Sequence, residues 1–384
     1  MTATGRRRTS VRVGTVSDQG AGARGATVAR RRSSEELGDE EEPTRRRGPL
    51  RALLMVIVGL LGLAMVAGLA VVGIWWFGFK PGASEECSVK TAAGNGTLEL
   101  PQAANAATIA AVARSRGLPD RATTISLATA MQESKLRNLA GGDRDSIGLF
   151  QQRPSMGWGT PAQISDPVYA TNKFLDGLVK VPGYTRMPLT DAAQTVQKSG
   201  YPQAYAKHET KATLLTSALA GREPASFSCV VHDYAKPDPA DSASAAPGAT
   251  PGATAAPAAA PDRAQVLSDR VRREFGRTVT PATGYTSTIK GAENAVSLTP
   301  DPATAALTSS PDAGAADGGV SAERASGWEV AHWAVAQAQQ LGIATVAYDG
   351  KIWRKSKSED GWQNQTSGTS TKLVQVTLAP ADKS

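Results

Sequence analysis

Histidine and cysteine are scarce in this 384-residue chain. Histidine occurs only at His208, His232 and His332, and cysteine only at Cys87 and Cys229. Neither shows the grouped spacing that zinc or copper demands, so no metal centre is expected, and no cofactor. Net positive charge is also scarce beyond the N-terminal arm. Residues 1–51 hold twelve arginines against seven acids, a net +5 of the formal +7, which leaves +2 for all that follows. A pI of 9.4 therefore says little about the rest of the chain, and a nucleic-acid reading would rest on the arm, which lacks the aromatic interleaving that would favour it. Its Gly, Ser and Arg content with few apolar residues reads as a disordered, solvated tail.

What is present next is a long run without charge. From Ala52 to Phe79 no residue is charged, and about 20 apolar residues suffice to cross a bilayer. The run is too long and too far from the start for a signal peptide. Arg45, Arg46, Arg47 and Arg51 precede it and only Lys80 follows closely, so the positive-inside bias places the N-terminus in the cytoplasm. Trp75, Trp76, Phe77 and Phe79 form an aromatic belt at the outer end. The expectation is one helix through the plasma membrane lipid over 52–79, with the rest of the chain outside the cell. Both cysteines then fall on the oxidising side, where a Cys87–Cys229 disulfide is expected to persist.

The outer part divides by composition. Residues 80–234 look globular, 235–262 form a Pro/Ala-rich linker, and 263–384 make a second region with a low-complexity insertion near 297–321. The linker implies that the two regions move independently. In the first, "NAATIAAVARSRG" ends at Gly117, Asp120 is placed to cap a helix through "RATTISLATAMQES", and Asp166 and Thr190 are placed to cap two more. No alternating strand pattern of useful length occurs there. In the second, "SGWEVAHWAVAQAQQLG" reads as a helix with Trp328, Ala331, Val335 and Ala338 on one face, stopped at Gly342. "IATVAYDGKIWR" reads as a hairpin around Asp349-Gly350, "KLVQVTLAP" as a strand and "QVLSDRVRREFG" as a helix. This is a small α/β module. Its tryptophans Trp328, Trp333, Trp353 and Trp362 suggest core more than carbohydrate binding, and His332 reads as structural.

Glu133 falls on the last turn of the helix that follows Asp120, beside its apolar stripe. Cleavage of a glycosidic bond needs an acid held protonated near neutral pH, which an apolar site supplies. On position alone a solvated surface glutamate explains Glu133 better. Its company changes the balance. "ESKLRNLAGGDRDSIGLFQQRPS" resembles the catalytic stretch of the lysozyme-like superfamily, specifically lytic transglycosylases and goose-type lysozymes. The match is Glu133-Ser134, then Leu136, Asn138 and Ser146, then Gly148-Leu149-Phe150-Gln151, fifteen residues from glutamate to glycine. "DPVYATNKFL" looks like that family's Asp-Pro segment. "AAQTVQKSGYPQAY" sits where an Ala-Ala-Tyr-Asn-Ala-Gly helix belongs, with Gln194-Thr195 in place of Tyr-Asn and Tyr201 and Tyr205 as substitutes.

The resemblance, over about residues 105–210, implies a mainly α lysozyme-like domain. Glu133 would protonate the MurNAc-GlcNAc oxygen of peptidoglycan glycan strands and then act as base, on the sugar's 6-hydroxyl in a transglycosylase or on water in a hydrolase. Ser134 and Gln151 belong with the substrate-binding residues; Gln152 divides evenly between cleft and loop face, and Trp158 between sugar stacking and a buried plug. Asp145, in "GGDRDS", is a candidate helper carboxylate, though turn chemistry explains it better. A different class of function stays open: a non-catalytic wall-binding or divisome scaffold serving cell-wall machinery.

Overall fold

A computed structural model describes residues 48–76, 83–235, 262–289, 294–301, 303 and 320–380. The arm before Gly48, Phe77 and Phe79 of the aromatic belt, Lys80, the linker from Lys236 to Pro261 and most of the 297–321 insertion lie outside the described residues. The chain divides into two compact units, Met1–Phe79 and Lys80–Ser384.

In the first unit a 28-residue helix α1 spans Pro49–Trp76. Its stretch Pro49–Val72 has a mean hydropathy of 2.7 and no burial, so by length and composition it suffices to cross a membrane.

The second unit begins with a small antiparallel sheet that the sequence did not reveal. Strands β1 (Cys87–Thr91), β2 (Gly94–Leu98) and β3 (Phe227–Cys229) pair in the order β2-β1-β3. Cys87 and Cys229 face each other in register and are joined by the expected disulfide. Helices α2 (Leu100–Ser115), α3 (Asp120–Ser134), α4 (Pro161–Ile164), α5 (Pro167–Leu178), α6 (Leu189–Gln197) and α7 (Glu209–Leu219) lie between β2 and β3 in sequence. Asp166 caps α5 as expected, its Oδ1 accepting from the Val168 amide at 3.0 Å. Asp120 and Thr190 are helical residues rather than caps, because Pro119 and Pro188 take the cap positions. The Asp120 carboxylate turns instead to Arg222. Helix α2 starts earlier than its alanine run suggests, at a first turn with Pro101, where Gln102 Oε1 accepts from the Glu99 amide at 2.9 Å. It is buried almost continuously from Ala103 to Ala113, since small side chains let neighbours approach from every side.

The C-terminal part contributes helix α8 (Arg263–Phe275), strands β4 (Val279–Tyr285) and β5 (Ala295–Pro300), helices α9 (Ala322–Ala336) and α10 (Ala338–Leu341), and strands β6 (Ile343–Tyr348), β7 (Lys351–Arg354), β8 (Gln363–Asn364) and β9 (Val374–Leu378). The strands form one six-stranded antiparallel sheet, ordered β4-β5-β9-β6-β7-β8. The β6–β7 hairpin turns at Asp349-Gly350, both at positive φ, as "YDGK" implies. Ser297 to Pro300, read as the start of a low-complexity insertion, belong to β5. Trp328, Trp333 and Trp353 are buried core residues.

Residues 80–234 and 263–384 share one core, which corrects the expectation of independent movement. Every residue of α9 from Ser326 to Ala336 is buried. That helix has an apolar surface beyond the Trp328 stripe, with Val330, Trp333 and Ala334 equally enclosed. It packs on β6 and also on α2, α7 and β3. Polar bonds fix the seam. Trp333 Nε1 and Thr108 Oγ1 both donate to the fully buried Glu274, at 2.7 and 3.0 Å. His332 Nδ1 lies 2.7 Å from the Ala218 carbonyl, and burial lowers this ring's pKa to about 4, so it stays neutral. Trp353 Nε1 donates to the Cys229 carbonyl at 3.0 Å.

A close approach across this seam occurs at Gly221, which follows α7 at φ +68°; a Cβ there would stand 2.0 Å from the Ala325 carbonyl oxygen. Gly221→Ala should therefore cost about 2–4 kcal/mol through overpacking and left-handed strain. Gly200→Ala, where a Cβ meets nothing within 4 Å, should leave the unfolding midpoint nearly unchanged. Thermal denaturation of the two variants checks the difference.

Candidate active site

Helix α3 ends without a glycine. Lys135 and Leu136 both take left-handed backbone, at φ 55° and 61°, a conformation that costs an ordinary residue about 1–2 kcal/mol. Three contacts hold it. Gln102 Nε2 donates to the Lys135 carbonyl and Asn105 Nδ2 to the Leu136 carbonyl, each at 2.8 Å, and the Leu136 side chain is buried. The chain thus leaves the helix immediately after Glu133-Ser134, and Glu133 is presented half-buried on the last turn.

Tyr205 reaches Glu133 from the 3-10 turn Pro202–His208, donating its phenol proton to Oε1 at 2.6 Å from a fully buried ring. Burial, then the hydrogen bond to Glu133 and its charge, push this phenol well above the usual tyrosine range. It is therefore a fixed donor. Among the described residues no basic side chain forms an ion pair with Glu133. Gln132, one residue earlier, places Oε1 3.2 Å from His208 Nε2.

Ser134 joins the helix end to the Gly148–Gln151 segment. Its hydroxyl is within bonding distance of the Ala130 carbonyl at 3.0 Å and of the Leu149 carbonyl at 2.7 Å, and the side chain is buried. Glu133 and Gln151 lie one and two residues from this contact along their chains. The segment is a tight loop: the Gly148 amide donates to Leu139 at 2.7 Å, and Ile147 and Gln152 exchange backbone bonds. Glycine at 148 is required, since φ is +78° and a Cβ would stand 2.6 Å from the Ile164 carbonyl oxygen. Phe150 is buried and stacks on Phe174 with ring centroids 4.8 Å apart, so this position is a core anchor.

The remaining residues named from sequence have distinct settings. Gln151, half-buried at φ 47°, turns its amide onto its own loop, accepting from Ser146 Oγ at 3.0 Å and donating to the Gly148 carbonyl at 3.1 Å. Gln152 is buried and donates to the Ala170 carbonyl at 3.1 Å, which places it beneath the loop. Trp158 packs partly buried against the core, and its carbonyl accepts from Tyr169. Tyr201, the residue before the turn that carries Tyr205, is 78% exposed, unlike Tyr205. Asp145 accepts from Arg153 Nε at 2.7 Å on one oxygen and from the Ser155 amide at 2.8 Å on the other. Gln197 escaped notice in the sequence, although it donates to the Phe150 carbonyl at 2.8 Å and holds the loop to α6; its place three residues after Gln194 on one helical face was the available signal.

No group of three or more potential metal ligands occurs among the described residues. A cavity of about 20 Å³, room for about one water, lies between α2, α3, α7 and α9, where Arg114 and Glu329 pair at 3.3 Å. Burial raises Glu329 to about 7, with Arg114 opposing the shift. Glu133 lines neither this cavity nor a larger one beside β3.

The Ser155 amide and Arg153 hold the Asp145 carboxyl far below the usual carboxylate range. A depressed carboxylate pKa contributes order that is present above the ordinary value of about 4 and is lost as pH falls. Asp145→Asn should therefore speed amide exchange at Ser155 at neutral pH, and the difference from wild type should shrink on acidification. Hydrogen exchange resolved by mass spectrometry reads this directly.

A family model described as VldE, C-terminal domain, matches residues 309–373. The matched segment lies within the C-terminal region around α9 and β6–β8 and does not reach Glu133. No curated protein matches the chain.

Proposed function

We propose that this protein is a membrane-anchored peptidoglycan-cleaving enzyme with a lysozyme-like domain held outside the cell by α1. The tail stays in the cytoplasm. The observation that carries the reading is the pairing of Glu133 with a buried tyrosine phenol at a helix end, fastened by Ser134 to the Gly-Leu-Phe-Gln loop. One carboxylate oxygen then has a fixed neutral donor, and the other faces the substrate. Glu133 delivers its proton to the oxygen between N-acetylmuramic acid and N-acetylglucosamine as that bond breaks. In the second step the carboxylate takes a proton from the sugar's 6-hydroxyl, closing an anhydro ring, or from water. Tyr205 acts through Glu133 by orienting it.

Asp145 does not enter this mechanism, because both its oxygens bind Arg153 and Ser155. Gln151 and Trp158 are assigned to the sugar-facing side, with Tyr201 as an exposed stacking surface. Ser134 and Gln152 serve beneath it.

A second reading, a wall-binding scaffold without turnover, is favoured by one feature. Gln194, standing where the resembling families have tyrosine, donates to the nearby Ser199 carbonyl at 2.7 Å, and its Oε1 is buried without a partner. That helix offers its amide to its own turn.

Digestion of purified peptidoglycan by the full-length protein in detergent, with products identified by mass, separates the two. Wild type should release anhydro-muropeptides or reducing ends. Glu133→Gln should lose about 100-fold or more of the rate, and Tyr205→Phe about 10-fold, the scale of one hydrogen bond. Absence of products from all three, with undiminished co-sedimentation on the wall, would establish the scaffold instead.

A further inference from the structure

A second polar site lies on the seam between the β1–β3 sheet and the C-terminal region. A partly open cavity of about 270 Å³ has Lys90, Ser226 and Ser228 on one wall and Glu359, Asp360 and Trp362 on the other. The first wall is one face of the small sheet. Ser226 and Ser228 alternate with the inward-facing Phe227, and Lys90 sits beside them because its amide donates to the Ser226 carbonyl at 2.8 Å. The second wall is the 3-10 turn Lys355–Asp360 and the two residues after it.

Three observations point to a ligand in this space. First, the hydroxyls of Ser226 and Ser228 are buried and have no hydrogen-bond partner, and Ser226 is only 5% exposed. A buried hydroxyl left unsatisfied costs about 1–3 kcal/mol, and here two of them border the same cavity. Secondly, the charges are opposed: an ammonium without an ion pair among the described residues on one wall, two carboxylates on the other. Each carboxylate has one oxygen engaged, Glu359 Oε1 by the Ala83 amide at 3.3 Å and Asp360 Oδ2 by Gln363 at 3.0 Å. Thirdly, the Trp362 indole is locked, donating to the Phe227 carbonyl at 2.7 Å and standing edge-on to Trp328.

We propose that this cavity binds a small zwitterion of dipeptide size. Its ammonium sits between Glu359 and Asp360 near the Trp362 ring, where a cation is favoured. Its carboxylate takes a charge-assisted bond from Lys90, and the two serine hydroxyls, enclosed in the unliganded structure, rotate to meet it. The space, about 270 Å³ and partly open, suits a molecule of roughly ten heavy atoms. Separated opposite charges select a molecule charged at both ends over a neutral sugar. The proposal does not rest on the reading of Glu133, since it shares no residue with that site.

The test is calorimetric titration of the full-length protein in detergent with alanyl-alanine, its N-acetyl derivative, its C-terminal amide, and N-acetylglucosamine. Alanyl-alanine should bind one to one with a Kd of about 1 mM or tighter. Blocking either end should weaken it about tenfold or more, and the sugar should give no saturable heat. Asp360→Asn and Lys90→Met, both substitutions of exposed side chains, should each weaken the dipeptide while leaving the unfolding midpoint unchanged. Glu359→Gln substitutes for Asp360→Asn if that variant misfolds. No saturable binding, equal binding of the blocked forms, preference for the sugar, or binding unchanged in folded variants would each overturn the proposal. Because the readout is binding rather than wall cleavage, its outcome is separate from that of the Glu133 digestion.

Discussion

The burial of α9 from Ser326 to Ala336 is the constraint on which the second unit of the molecule depends. A helix with one apolar face can be removed from a fold at moderate cost. One enclosed from Ser326 to Ala336 cannot, because stripping either neighbour exposes tryptophan and valine to water. The C-terminal sheet therefore acts as the second half of a core whose first half is α2, α3 and α7. The disulfide between Cys87 and Cys229 lies at the same seam, since Trp353 and Trp362 bond to the carbonyls of Cys229 and Phe227. Closing a loop of 142 residues, it contributes on the order of 5 kcal/mol in the chain-entropy view.

This rigidity bears on the site. Four non-glycine residues between Lys135 and Gln151 have positive φ: Lys135, Leu136, Arg144 and Gln151. Such strain persists only where the surroundings over-determine it. Here they include the amides of Gln102 and Asn105 on α2 and of Gln197 on α6, with Ser134 at the centre. The position of Glu133 is set by α2, which packs on α9, and by α6, and its orientation by Tyr205. Preorganised support of this kind is what acid-base chemistry requires of a scaffold.

Much of this was legible in the sequence. The α5 cap at Asp166, the hairpin at Asp349-Gly350 and the end of α3 at Ser134 follow from local signals, and the disulfide from there being two cysteines, both after the apolar run. The sheet β2-β1-β3 did not, because its strands are short, β2 carries two glycines, and β3 comes well over a hundred residues later. The shared core was hidden for a different reason. A Pro/Ala-rich linker suggests separation, whereas docking is decided by tertiary packing of a helix whose pattern shows only one stripe. The site was half visible: Glu133 and the loop fifteen residues on could be named, but the Tyr205 contact spans 72 residues and has no local signature. Gln152, undecided between cleft and loop, proves buried, and Tyr201 and Tyr205, named together, differ completely in exposure.

The central claim is that the Glu133 carboxylate itself carries the proton transfers. Chemical rescue tests it most directly. The chain's two cysteines are joined to each other, so Glu133→Cys introduces a single free thiol. The account expects this variant to be inactive on peptidoglycan, to regain activity when iodoacetate places a carboxylate on that sulfur, and to remain inactive after iodoacetamide, which adds the neutral amide. Activity in the unmodified variant, or equal recovery with both reagents, would contradict it.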